Sequence, residues 1–205
     1  MAKLSLPLLL FFLICVSASV APALARRSRS RTYIEMSCRG TRYPTLCVQC
    51  LSGYANGSLK SPQQLAQAAL TVSLYKARYT KAYMVKIAGD LKVMNAHDYQ
   101  PVQDCMDQID NSIDQLTQSI KELRQFGQET VGDNFYWHIS NVDSWVSAAQ
   151  TDAMTCLDEF PGNRMGKTKA VLKGKVLNVA MTTSNALVLF HRFAAKYGAR
   201  ATTKP

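Results

Sequence analysis

The chain has 205 residues, a formal net charge of +10 at pH 7 and a hydrophobic fraction of 47%. This length fits one domain with a sizeable core, and the positive charge favours an acidic partner: an extracellular polyanionic polysaccharide, an acidic protein surface or a membrane surface. The sequence contains no G-x-S-x-G motif, phosphate-binding glycine loop or HExxH motif. We therefore expect no enzymatic activity, no catalytic residue and no cofactor.

Residues 1–25 have the features of a secretory signal peptide. Lys3 provides a positive start, an uncharged apolar run extends from Leu8 to Val16, and Ala23-Leu24-Ala25 has the small-x-small pattern of a cleavage site. The apolar run is shorter than the roughly 20 residues that span a bilayer, so we favour a cleaved signal over a retained anchor. No later apolar stretch reaches spanning length. The sequence thus predicts a secreted protein with a net charge of +9 after cleavage and no nucleic-acid partner.

The segment that follows the signal is strongly basic. Residues 26–31 consist of arginines and serines with nothing apolar to bury, and they predict a disordered arm rather than a dedicated binding element. Further on, Asn56-Gly57-Ser58 matches the N-glycosylation sequon in a turn-like setting. Asn56 is accordingly expected to be a glycan acceptor.

Two amphipathic helices are predicted after the sequon. Ser61 can cap the first, and Pro62 suits its first turn, where no amide donor is needed. Its apolar stripe steps by three and four residues as far as Leu91. The second helix begins at Pro101 and ends at Gly127. Its stripe is the most regular in the chain and consists of Val102, Cys105, Ile109, Ile113, Leu116, Ile120 and Leu123.

Two further helices carry comparable stripes. The third is expected to run from Tyr136 or Ser140 to Leu157, where a Pro-Gly pair follows, and the fourth from about Lys167 to Tyr197. Four amphipathic helices joined by connections of modest length indicate an antiparallel bundle. The predicted fold class is therefore all-α.

Cysteines are the other prominent feature. Cleavage of the signal would leave Cys38, Cys47, Cys50, Cys105 and Cys156, and such cysteines in a small secreted domain usually form structural bridges. In an antiparallel hairpin of the second and third helices, opposed residue numbers add to about 260. Cys105 and Cys156 satisfy this relation and are expected to pair, which would stabilise the fold by about 4 kcal/mol. Cys38 could pair with Cys47 or with Cys50, and the spacing leaves both choices open.

Redox and metal chemistry are disfavoured. Cys47-Val48-Gln49-Cys50 has the C-x-x-C spacing, but no βαβ pattern surrounds it. A zinc site built from the first three of these cysteines lacks a fourth ligand, because His97, His138 and His191 are scattered singly. No metal site is expected.

Four motifs occur in order along the chain. The first is Cys38-x-x-Thr41-x-Tyr43-Pro44-x-x-Cys47 followed by Leu51, and the second is Asp104-Cys105. The third is Asn141-Val142-x-x-Trp145-Val146-Ser147-Ala148-Ala149, running to Thr155-Cys156-x-Asp158-x-Phe160, and the fourth is Ser184-Asn185-Ala186-Leu187. The ordered set covers essentially the whole mature chain and resembles the plant invertase and pectin methylesterase inhibitor family.

This resemblance implies a particular architecture. It places a short N-terminal helical hairpin over residues 32–60 and an antiparallel four-helix bundle, the inhibitor domain, over residues 61–198. It implies the bridges Cys38–Cys47 and Cys105–Cys156. Cys50 lies where many relatives carry Ser and is therefore the expected free thiol. The implied location is the plant cell wall or apoplast.

The resemblance also favours one target. Invertase inhibitors often carry a Pro-Lys-Phe motif between the second and third helices, where this chain has Gly132-Asp133-Asn134-Phe135. Thr155-Cys156-Leu157-Asp158 is similar to the element at which pectin methylesterase inhibitors touch the enzyme. Thr155 and Asp158 are thus the implied contacts, in a reversible, non-covalent complex that covers the pectin-binding cleft.

Other interpretations remain open. The chain could instead inhibit invertase, or it could be a basic wall-binding protein without an enzyme target, and weak binding to acidic pectin is a further expectation. Asp158 could simply be a solvated charge at a helix end, and the hydroxyl of Thr155 could bond back to a carbonyl one turn earlier. Trp145 is expected to serve packing rather than recognition.

Overall fold

The computed structural model describes residues 29–56, 59, 61–94, 97, 99–125, 134–160 and 166–202, and all its regular elements there are helices. Residues 29–38 form α1. They are followed by α2 (Pro44–Leu51), a 3-10 helix (Ser52–Asn56), α3 (Pro62–Val93), α4 (Tyr99–Gln125), α5 (Asn134–Asp158) and α6 (Lys167–Thr202). The described residues therefore form an all-α fold.

The four long helices pack as a bundle in which each helix touches two others. α4 lies between α3 and α5, and α6 closes the ring by packing on α5 and α3. The core is continuous across all four helices and is filled by aliphatic and aromatic side chains. Its largest fully buried members include Phe190, Phe193, Leu70, Met84, Ile109, Leu116, Leu123, Leu172 and Val142.

Capping and patterning fix where α3 begins and which side it buries. The Ser61 side chain accepts a hydrogen bond from the Gln64 amide, and Pro62 occupies the first turn, which satisfies one of the amides that a helix start leaves unpaired. Lys81 interrupts the apolar register and forms an ion pair with Asp110 of α4 at 2.6 Å. A polar residue within the stripe thus cross-links two helices at the edge of their contact.

The first turn of α3 also closes the end of α4. Gln63 and Gln67 both donate side-chain hydrogen bonds to the carbonyl of Leu123, at 3.0 and 3.1 Å. Carbonyls in the last turn of a helix have no partner within it. Neighbouring helices therefore satisfy each other's ends at this pole of the bundle.

The N-terminal helical hairpin is anchored to α6 by side chains of Asn185 and Arg192. Asn185 is buried, and its amide accepts from the Tyr43 backbone N–H at 3.0 Å and donates to the Tyr43 carbonyl at 2.9 Å. Arg192 donates to the Ser37 carbonyl next to the turn. Asn185 belongs to the fourth sequence motif. The structure explains this residue, because its side chain forms hydrogen bonds with the backbone of Tyr43, 142 residues away.

Most helix positions agree with the sequence expectations, with shifts at the ends. α4 begins at Tyr99 rather than Pro101, α5 begins at Asn134, before either predicted start, and α6 extends past Tyr197 to Thr202. Residues 29–31 were expected in a disordered arm but are helical, because α1 continues backward from its buried residue Ile34 and an Arg31–Glu35 ion pair one turn apart supports it.

Several expectations fall outside the described residues. These are the signal peptide over residues 1–25, residues 26–28 of the basic arm, and the expected helix stop at Gly127. Asn56 is the last residue of the 3-10 helix, while Gly57 and Ser58 of its sequon are not described. Within the described residues, no helix combines the length and the apolar character that crossing a bilayer requires.

Candidate functional site

The last turn of α5 carries both predicted contact residues on its surface. Thr155 and Asp158 are exposed, whereas Cys156 between them is fully buried. Cys156 forms a disulfide with Cys105 of α4, and the two Cα atoms are 4.4 Å apart. The bridge therefore fixes the backbone of the turn that presents the two polar side chains.

Thr155 and Asp158 differ in the contacts that their side chains make within the protein. The hydroxyl of Thr155 donates to the Thr151 carbonyl at 3.1 Å, so the back-bonding considered from the sequence does occur. Its oxygen still has lone pairs that can accept a hydrogen bond from a partner. Asp158 has no ion pair and no side-chain hydrogen bond within the described part of the chain. It ends α5, where the helix dipole disfavours a negative charge.

Charge is divided between two halves of the bundle. α4 and α5 together contain eight Asp and Glu residues and two Lys and Arg residues, a formal charge of −6. α3 and α6 contain twelve Lys and Arg residues and one Asp, a formal charge of +11. The Lys81–Asp110 ion pair and a hydrogen bond between His191 and Asp143 join the halves. The α4–α5 hairpin thus presents an acidic surface, and the opposite side of the bundle is basic.

One carboxylate of the acidic hairpin lies between its two helices. Asp152 is half-buried, and its Oδ2 has no hydrogen-bond partner among the described residues; the same holds for Oε1 of Gln115 on α4. Burial raises the pKa of Asp152 above its ordinary value, and a hydrogen bond with the Gln115 side chain partly offsets that rise. This carboxylate therefore costs stability whenever it is ionised.

The remaining cysteines are placed at the N-terminal hairpin. Cys38 and Cys47 form a disulfide with a Cα–Cα distance of 5.6 Å, and Cys50 is unpaired. Burial raises the pKa of the Cys50 thiol, while the nearby Lys76 charge lowers it by a smaller amount. The described residues contain no group of His, Cys, Asp and Glu side chains able to hold a metal ion.

The third motif lies along α5 and divides into packing and surface positions. Val142, Val146 and Ala149 are fully buried, and Trp145 is half-buried on the flank of the helix. The Ala149 carbonyl accepts a hydrogen bond from Ser112 of α4 at 2.9 Å. Small residues thus let the two helices of the hairpin approach closely, as the sequence interpretation of this motif required.

The sequence matches the model of the plant invertase/pectin methylesterase inhibitor family over residues 32–189. The chain belongs to this family. It is 42% identical to pectinesterase inhibitor 9 of Arabidopsis thaliana over 193 residues, which cover 93% of each chain. It is 40% identical to pectinesterase inhibitor 11 of the same plant, covering 90% of this chain and 92% of that one.

A solved structure of the same family shows the same fold. The crystal structure of a mutant form of a pectin methylesterase inhibitor from Arabidopsis superposes with a TM-score of 0.56 at 21% identity, covering 75% of this chain and 92% of that chain. At this identity the likeness concerns the fold alone. The predicted family and the predicted helical architecture are both confirmed.

The structure brings together one cluster of aromatic and lysine side chains that the sequence did not indicate. Tyr75 and Tyr79 are exposed on α3, outside its core stripe, and Lys175 of α6 lies over the Tyr79 ring. The available signal was the spacing of four residues between the two tyrosines, which places them on one face of a helix. The loop residues Gly132 and Asp133, used above to separate the two inhibitor types, lie outside the described residues.

Proposed function

We propose that this protein is a secreted inhibitor of plant cell-wall pectin methylesterase that binds the enzyme reversibly and without covalent chemistry. The observation that carries the proposal is the 42% identity to a pectinesterase inhibitor across 93% of both chains. The inhibitor has no reaction of its own. It acts by laying its helical surface over the pectin-binding cleft, so that substrate is excluded.

The end of the α4–α5 hairpin is the proposed contact surface. Thr155 and Asp158 are exposed there, and the Cys105–Cys156 bridge holds their backbone in place. A surface that is rigid before binding loses little conformational entropy in the complex. Within the described residues the carboxylate of Asp158 has no partner, which supports this assignment because such a charge can meet a donor on the enzyme.

Two enzyme assays test the proposal. The purified protein is titrated into a plant pectin methylesterase and into a plant acid invertase, with heat-unfolded, reduced protein as the control. We expect concentration-dependent loss of pectin demethylation and no change in sucrose hydrolysis. Inhibition of invertase alone would assign the protein to the other branch of the family, and demethylation of pectin by the protein itself would overturn the non-enzymatic mechanism.

Secretion and glycosylation belong to the same proposal. When the full chain is expressed in plant cells, we expect it in the apoplastic fluid with Arg26 as its first residue, because cleavage would follow Ala25. An Asn56→Gln variant should lose any mass shift that a glycosidase removes from the wild type. Retention of residues 1–25 in membrane fractions would contradict the predicted export route.

A further inference from the structure

A row of aromatic rings and cations lies on the basic half of the bundle, on α3 and α6. Tyr75 and Tyr79 of α3 stack with ring centroids 6.4 Å apart, and Lys175 of α6 places its Nζ 4.3 Å from the Tyr79 centroid and 4.9 Å from that of Tyr83. We call these four residues, together with Lys76, the tyrosine–lysine face. Tyr75 and Tyr79 are 65% and 55% exposed, so both side chains present surface to a partner although Lys175 covers part of the Tyr79 ring.

The face continues into a groove. Tyr75 and Lys76 form one wall, and Tyr54, Gln49 and Asn178 are among the other lining residues. The groove has a volume of about 520 Å³, within the range of about 300–1,000 Å³ that is typical of ligand sites. The side-chain oxygen of Asn178 is buried and has no hydrogen-bond partner among the described residues, so this residue helps to shape the groove without offering that oxygen to solvent.

The cations of the face are not neutralised by carboxylates. Neither Lys76 nor Lys175 forms an ion pair within the described residues, and α3 and α6 contain a single acidic residue, Asp90. Cation–π contact orients Lys175 over the two rings and leaves its three N–H donors able to bind an anion. The local field therefore favours a negatively charged ligand.

We propose that the tyrosine–lysine face binds an acidic polysaccharide of the polyuronate class. Stacked tyrosine rings suit the apolar C–H faces of successive sugar rings, the two lysines suit their carboxylates, and the tyrosine and amide groups of the groove suit their hydroxyls. From Tyr75 to Tyr83 the face extends along α3 for about 12 Å, more than the length of one sugar ring.

The proposal adds a second surface to the protein and does not depend on enzyme inhibition. Asp158 lies on α5, whereas the tyrosine–lysine face lies on α3 and α6. The two surfaces therefore share no residue. A variant of the face should therefore keep its direct affinity for pectin methylesterase, measured without pectin present. The two proposals can fail separately.

Calorimetric titration with a size-defined, unesterified oligogalacturonate tests the proposal. We expect the Lys76→Gln/Lys175→Gln double variant to weaken binding about tenfold, equivalent to about 1.4 kcal/mol, and Tyr79→Leu to weaken it severalfold. The control is Lys121→Gln/Arg124→Gln, which removes the same charge from exposed positions of α4 and should leave affinity within about twofold. Thermal melts establish that every variant is folded.

The free thiol reports where the ligand binds. Cys50 lines the same groove, so saturating oligogalacturonate should slow its alkylation, followed by peptide mass spectrometry. Three results would overturn the proposal: no binding of the unesterified oligomer, equal weakening in both double variants, or binding of dextran sulfate that matches the oligomer and is insensitive to Tyr79→Leu. Tight binding of the fully methyl-esterified oligomer would equally exclude recognition of carboxylates.

Discussion

At the scale of single residues, we propose that Asp158 serves recognition rather than folding. Its carboxylate ends α5 without a partner in the described structure, in a position where the helix dipole opposes a negative charge. Residues kept for stability are ordinarily placed the other way round, with acids at helix starts and bases at helix ends. A charge that the fold does not need is a strong candidate for contact with another molecule.

We expect Asp158→Ala to raise the inhibition constant toward pectin methylesterase by at least about tenfold, that is about 1.4 kcal/mol. Its melting temperature should stay the same or rise slightly, because an unfavourable interaction with the helix dipole is removed. Asp90→Ala, an exposed acid on α3, is the matched control and should change neither quantity. Weaker inhibition together with a clear drop in melting temperature would instead assign Asp158 to the fold.

Asp152 is a second carboxylate that the fold disfavours, in this case through burial. Its pKa is raised by burial in the folded state, so the folded protein binds a proton more tightly than the unfolded chain does. Stability then falls as pH rises from the ordinary value of about 3.9 through the raised folded value, and the full penalty is present at neutral pH.

Asp152→Asn removes this penalty, so we expect the variant to be more stable than the wild type at pH 7. The difference should shrink as the pH falls toward the ordinary carboxyl value of about 3.9, because a growing fraction of the wild-type carboxyl is then protonated in the folded state. Thermal melts at both pH values measure this, with the exposed Asp107→Asn as the control. A difference that is constant between the two pH values would show that ionisation is not the cause.

At the scale of elements, Asn185 is a main anchor of the N-terminal hairpin. Asn185→Ala leaves the N–H and the carbonyl of Tyr43 without their partners, and each unsatisfied buried group costs about 1–3 kcal/mol. We expect a loss of about 2–4 kcal/mol in denaturant unfolding and faster proteolysis within residues 29–56. Asn111→Ala, at an exposed position of α4, should be neutral. An unaffected hairpin in Asn185→Ala would refute this anchoring.

The two disulfides should contribute unequally. Cys105–Cys156 joins residues 51 apart in sequence, and Cys38–Cys47 joins residues 9 apart. A disulfide stabilises the fold by restricting the unfolded chain, and this stabilisation grows with loop length. Replacing each pair by alanines should cost about 4 kcal/mol for the long loop and about 3 kcal/mol for the short one. Urea unfolding of the two double variants makes the comparison. A reversed order would mean that local packing outweighs chain entropy.

The helices could be placed from the sequence because the apolar spacing of three and four residues that marks a helix also decides which of its sides is buried. The stripe from Val102 to Leu123 turned out to be the buried side of α4, with only Ile113 left half-exposed. Helix ends were less predictable: α5 starts at Asn134, where Phe135 packs on Tyr197 of α6. That contact lies 62 positions away in the chain, so no local pattern encodes it.

The candidate site was foreseeable only in part, for a similar reason. Resemblance pointed to Thr155 and Asp158, and their exposure is consistent with that role. The tyrosine–lysine face was not foreseen, because it joins residues of α3 and α6 that only the closed bundle brings together. A surface shared by two helices has no continuous signature in the sequence.

At the scale of the whole molecule, the division of charge between the two sides of the bundle matters more than the net charge. The basic side, α3 and α6, bears +11 and the acidic side, α4 and α5, bears −6. Charges separated by more than a Debye length of about 10 Å at 0.1 M salt act nearly independently. A charged surface that meets this protein therefore responds to the side it faces.

This segregation predicts how two variants of equal net charge behave on a sulfonate cation exchanger. Lys76→Gln/Lys175→Gln should elute at lower salt than Lys121→Gln/Arg124→Gln, because the basic side makes the contact with the resin. Both should elute before the wild type. Coincident elution of the two variants would show that the resin senses only the total charge.

The Cys105–Cys156 bridge also makes a closed covalent ring of most of α4 and α5. A single protease cut anywhere between these two cysteines opens the ring but releases no fragment. Nicked molecules would migrate as one band on a non-reducing gel and as two bands after a thiol reductant is added. Wherever proteases are present, the bridge would let the bundle outlast a break in its own backbone.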